Sequence, residues 1–146
     1  MQDPMLAMSV ARCRIAIGIG AVVAPGLATR VMGGKRPSDE IAPLFARMLG
    51  ARDVALGLGT LVALDRGKPV RGWLEGCALA DTADWISCVR ARRDMSPSAF
   101  RAAIGLGGAF AIVDVYLSRR LDPPPPPQPG QPEAVATGHS PQSARE

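Results

Sequence analysis

The stretch Arg14-Ile15-Ala16-Ile17-Gly18-Ile19-Gly20 opens a run with no further charge until Arg30, and its pattern returns twice along the chain. Ala16-Ile17-Gly18-Ile19-Gly20 recurs as Ala55-Leu56-Gly57-Leu58-Gly59 and as Ala103-Ile104-Gly105-Leu106-Gly107. Each copy is followed, four residues after its last glycine, by an alanine (Ala24, Ala63, Ala111), and each is preceded by an arginine (Arg14, Arg52, Arg101). Segments drawn from so few residue types match one another easily, so shared composition explains the recurrence as well as an internal repeat does.

The small residues carry more physical content than the repeat. They fall on every fourth position in Ala16, Gly20, Ala24 and Ala28, in Ala51, Ala55, Gly59 and Ala63, in Gly76 and Ala80, and in Ala99, Ala103, Gly107 and Ala111. Positions four apart share one helix face, so each segment has a smooth stripe along which another backbone can approach, as membrane helices do. In a soluble helix each such glycine costs about 1 kcal/mol relative to alanine. The stripes therefore predict Gly20, Gly59 and Gly107 as packing positions between membrane helices.

Working outward, four apolar segments emerge at residues 15–29, 54–64, 73–89 and 102–117. Turn-formers separate them: Gly33-Gly34 leading to Pro37, Gly67 with Pro69, and the charged run Arg92-Arg93-Asp94. Such short connections set neighbouring helices antiparallel. Ser96-Pro97 reads as an N-cap with proline at the first helical position, and Ser38 with Asp39 and Glu40 marks a similar start, with Pro43 tolerated near the first turn. The expected fold is all-α, a four-helix transmembrane up-down bundle over residues 1–121. A polar tail over residues 122–146 follows, polyproline II at residues 123–127 and disordered beyond.

The uncharged runs are shorter than the roughly 20 residues that cross a bilayer core. Counting outward past the flanking arginines, whose long side chains snorkel, restores the length in the first, second and fourth segments. The third carries Glu75, Asp81 and Asp84, and an aspartate at mid-membrane costs about 2.5 to 3.5 kcal/mol on insertion scales. A water-soluble helical bundle is the alternative, but apolar residues all round each segment argue against one polar face. The first segment also admits a secretory signal, with Arg12 and Arg14 as its basic region and Gly26-Leu27-Ala28 as its cleavage site. The cationic residues are nearly balanced between the two ends, so orientation is left open.

The formal charge is +4 and the cations are nearly all arginines. They sit at the ends of apolar segments with no aromatic platform among them, which excludes nucleic acid as the expected partner. Cys13, Cys77 and Cys88 show no metal-ligand spacing, and the single histidine, His139, lies in the tail, so neither a cofactor nor a metal is expected.

Chemistry concentrates in Leu79-Ala80-Asp81-Thr82-Ala83-Asp84-Trp85. Asp81 and Asp84 are three residues apart and share a face, and ionisable groups at membrane depth mark functional sites by default. Their natural partners are Arg52 and Asp53, with Arg47 a turn earlier and Asp114 on the fourth segment. One reading is a proton or cation relay, or a polar pocket for a small solute. The other, favoured because each carboxylate has a basic neighbour, is an ion-paired lock that holds the helices in register. With no histidine in the apolar segments, no nucleophile elbow and no base near Ser87 or Cys88, no enzymatic activity is expected.

The run Arg47-Met48-Leu49-Gly50-Ala51-Arg52-Asp53-Val54-Ala55-Leu56-Gly57, together with Ala78-Leu79-Ala80-Asp81-Thr82-Ala83-Asp84, resembles a signature of small four-helix membrane proteins of actinobacteria, a family of unknown function. The resemblance spans residues 12–121 and implies a four-helix membrane fold without assigning an activity. The expectation is therefore a multi-pass protein of the bacterial inner membrane, a non-enzymatic accessory or scaffold protein. Its partners would be the lipid bilayer and a second copy or another membrane protein. A conductor of protons or small solutes through the aspartates is the alternative, and a soluble helical binding module the second.

Overall fold

A computed structural model describes residues 2–31 and 41–121. Among these the chain is helical, with no strand: α1 (Gln2–Val23), α2 (Pro25–Val31), α3 (Ile41–Asp65), α4 (Arg71–Arg90) and α5 (Pro97–Leu121), with a 3-10 turn at Arg92–Asp94 before α5. The expected start at Ser38, the turn at Gly33-Gly34 and the proline-rich tail lie outside the described residues.

The helices are longer than the apolar runs within them. α3 and α5 each have 25 residues, about 37 Å at 1.5 Å per residue. α1 reaches back to Gln2, well before the first apolar segment. The expectation of one helix over residues 15–29 is corrected: the helix breaks at Ala24, and α2 restarts at Pro25. Proline has no N–H for the i−4 carbonyl and its ring collides with that group. Ala24 N–H still bonds Gly20 O at 2.9 Å, and its own carbonyl accepts from Leu27 and Ala28 to begin the next turn.

The turns follow their residues. Gly67 takes φ +57° after α3, Lys68 N–H reaches Ala63 O at 2.8 Å and Gly67 N–H reaches Leu64 O at 3.2 Å, a Schellman cap with Pro69 just beyond. Ser96 caps α5 as expected, its Oγ accepting from Ala99 N–H at 3.3 Å.

α1 packs along α3 and α4 along α5, and the two pairs meet more sparsely through α1 with α5 and α3 with α4. Ala7, Ala63, Val70, Leu74 and Leu117 form one cluster. It joins the start of α1, the end of α3, the start of α4 and the end of α5, so successive long helices run in opposite directions. Apart from that cluster, side chains are distributed in reverse of a water-soluble core: the rest of the interior holds mostly alanines with Cys77, Thr60, Arg14, Asp81 and Asp114. Large apolar residues point outward on every long helix, with Leu79 and Ile112 each 72% exposed. α1 and α5 are each long and apolar enough to cross a membrane, and both are largely exposed.

Glycines set how closely α1 and α3 approach, and of the three positions the stripes predicted only Gly59 packs against another helix, at Trp73 of α4. A Cβ on Gly50 would stand 2.5 Å from Gly18 O and one on Gly18 2.6 Å from Gly50 O, while one on Gly57 would meet Ala11 O at 2.9 Å. Gly20 and Gly107 have nothing within 4 Å of that position, and Gly59 faces the ring of Trp73. The contact therefore uses Gly18, Gly50 and Gly57. Gly18 and Gly20 lie two residues apart, about 200° around the helix, and only the Gly18 face meets α3.

Candidate functional site

All four long helices contribute a charged side chain, near mid-length in α1, α3 and α4 and toward the C-terminal end of α5, and these converge on Arg14. Its guanidinium grips Asp81 with both amino groups, Nη1 to Oδ1 at 3.0 Å and Nη2 to Oδ2 at 2.6 Å. Nη2 also donates to Asp114 Oδ2 at 2.7 Å, and Nη1 lies 3.6 Å from Asp53 Oδ1. The flat cation is stacked on the ring of Phe110, 5.1 Å from its centroid, an attraction that strengthens away from water. This pairing is deeply buried, with the Asp114 side chain only 1% exposed. The planar fork suits arginine, since a lysine cannot hold two oxygens of one carboxylate and an oxygen of another in one plane.

A second fork stands beside it. Arg52 donates to both oxygens of Asp84, at 3.1 and 2.7 Å, and to Asp53 Oδ1 from Nε at 3.3 Å and Nη2 at 3.0 Å. Asp53 therefore bridges the two arginines. This half is nearer the surface, the Asp84 side chain being 41% exposed.

The structure thus brings Asp81, Asp84, Arg52 and Asp53 together, and adds Asp114 in full contact. Arg47 is exposed and takes no part among the described residues. The central residue, Arg14, was missed as a partner because beside Arg12 it reads as a flanking charge. Charge balance was the available signal: the aspartates at positions 53, 81, 84 and 114 lie within helices where Arg52 alone cannot compensate them.

Every deeply buried polar side-chain atom among the described residues has a hydrogen-bond partner, so the network is geometrically closed. Electrostatically it is not: two guanidiniums face four carboxylates, an excess of two negative charges when all are ionised. A recess of about 160 Å³ is bordered by three carboxylates, Asp53, Asp81 and Asp84, and by one cation, Arg14, with Trp85 and Phe110 beside them. It adjoins an apolar groove of about 370 Å³ between α1–α2 and α5, and Ile17, Ala103 and Leu106 line both. No set of His, Cys, Asp or Glu side chains among the described residues is arranged to hold a metal ion. Compared with protein-family models, curated proteins and solved structures, the chain matches none of them.

Proposed function

We propose that this chain is a small multi-pass protein of the bacterial inner membrane, a four-helix bundle serving as a non-enzymatic accessory or scaffold protein. The observation that carries the reading is the reversed distribution of side chains: large apolar groups outward on four long helices, small residues and paired charges inward. In water such an exposed surface drives aggregation, whereas in lipid it is the solvated face and the buried ion pairs are the costly groups kept inside. The outward apolar surface suits a partner helix or a second copy.

The same geometry argues against removal of α1 as a signal. Cleavage after Ala28 would leave Asp81 and Asp114 buried without Arg14, and an unpaired buried charge is strongly destabilising.

The fate of Cys13 tests the placement. This thiol is exposed at mid-length on α1, so in a variant whose other two cysteines are alanine a charged, water-soluble maleimide should fail to label it in open membranes and succeed after denaturation. The protein should also resist a carbonate wash. Complete labelling in the native state, with the protein released by the wash, overturns the reading in favour of a soluble helical binding module. Crosslinking in native membranes tests the accessory role, and a strictly monomeric protein that crosslinks to nothing counts against it.

The excess of carboxylates over guanidiniums beside a recess favours a second reading, conduction of protons or small solutes. It predicts a pH-dependent flux in liposomes that Asp84→Asn or Asp81→Asn lowers without unfolding the protein, and equal flux in wild type and variants would dismiss it.

A further inference from the structure

We propose that the groove between α1–α2 and α5 binds an amphiphilic cation, a protonated or quaternary amine on a compact apolar body, with its charge seated in the recess beside Asp84 and Asp53. This goes beyond an accessory role and rests on the helix packing. The groove is walled by Gly20, Ala24 and Ala28 on one side and Ala99, Ala102 and Ala103 on the other. Its volume of about 370 Å³ falls among small-molecule sites, which bury an apolar body and orient it by a few polar groups. The small-residue stripes of α1 and α5 thus have a use here that helix contact did not absorb: they leave room.

Charge complementarity selects the occupant. The groove runs into the recess through shared residues, and the recess borders a network with two more carboxylates than guanidiniums. An anionic amphiphile would meet that excess unfavourably. A neutral acyl chain would fill the groove and leave the charge uncompensated. A cation satisfies both ends: Asp84 is half exposed and carboxylate oxygens accept more bonds than Arg52 supplies. Trp85 and Phe110 line the recess, and aromatic faces attract quaternary cations.

The experiment is a titration of the full chain in zwitterionic nanodiscs with tetraphenylphosphonium and with tetraphenylborate, a cation and an anion of nearly the same shape. The readout is Trp85 emission in a Trp73→Phe background. Saturable binding of the phosphonium is expected, with the borate weaker by about tenfold or more, a difference of about 1.4 kcal/mol. Asp84→Asn should weaken the phosphonium by a similar factor. So should Gly20→Leu, whose side chain has open space to enter and leaves the ion network untouched. Equal responses to both ions overturn charge selection. A phosphonium response that neither substitution changes overturns the site and identifies simple partition into the bilayer.

Discussion

Replacing Arg14 with methionine is the most informative single perturbation, because it removes the one cation shared by two buried carboxylates while keeping an apolar stem of similar reach. The change deletes three hydrogen bonds of 2.6 to 3.0 Å and the stacking on Phe110. Removing one partner of a buried ion pair costs about 3 to 5 kcal/mol, chiefly because the other partner is left uncompensated. Here two carboxylates are left, one almost wholly buried, so the upper part of that range is expected, roughly three orders of magnitude in the folding equilibrium at 1.4 kcal/mol per tenfold. The assay is reversible unfolding in mixed micelles as the denaturing detergent fraction rises, followed by circular dichroism. A triple variant that adds Asp81→Asn and Asp114→Asn separates lost attraction from stranded charge. Since replacing a whole buried pair is often nearly neutral, it should recover more than half of the loss. A single variant within about 1 kcal/mol of wild type, or a triple variant no more stable than the single, would refute the reasoning.

Four further outcomes follow from local geometry. Gly50→Ala should destabilise by about 1 to 3 kcal/mol in the same assay, the usual cost of overpacking, because its Cβ would stand 2.5 Å from Gly18 O and 2.9 Å from Ala21 Cβ. Gly107→Ala, with open space at that position, should be neutral or stabilising by up to about 1 kcal/mol; equal losses at both sites would count against the described contact between α1 and α3. Arg52→Ala should cost about 1 kcal/mol, well below Arg14→Met, since its pairing with Asp84 is partly exposed, and a larger loss than at Arg14 would reverse the ranking. Gly67→Ala should cost about 1 to 2 kcal/mol, the penalty for a side chain at left-handed φ, measured as a shift of the unfolding midpoint; no shift would mean that the turn after α3 does not hold this conformation.

The helical character and the antiparallel order of the long segments were legible in the sequence because apolar length, Ser96-Pro97 and the short turn at Gly67 are local signals. The aspartate pair was legible for a similar reason: a spacing of three sets a shared face, and Arg52-Asp53 stands in another apolar helix. Two things were not. Periodicity shows that a stripe exists without saying which neighbour it meets, so Gly20 stood in for Gly18, while Gly59 packs on Trp73 of α4 and Gly57 on α1. Arg14 was hidden because a cation beside another cation at the edge of an apolar run looks like a terminus, and only the extension of α1 back to Gln2 puts it at mid-helix. The break at Pro25 was local information outweighed by the apolar run around it.

The distance along the chain between Arg14 and its deepest partner also bears on biogenesis. Asp114 is synthesised 100 residues after Arg14, which at about 5 to 20 residues per second leaves the guanidinium without it for roughly 5 to 20 s. Under the proposed membrane placement, α1 carries during that interval a charge whose insertion alone costs about 2.5 to 3.5 kcal/mol. In that placement the α1–α3 hairpin holds the cation against Asp53 alone until α4 supplies Asp81 and α5 supplies Asp114.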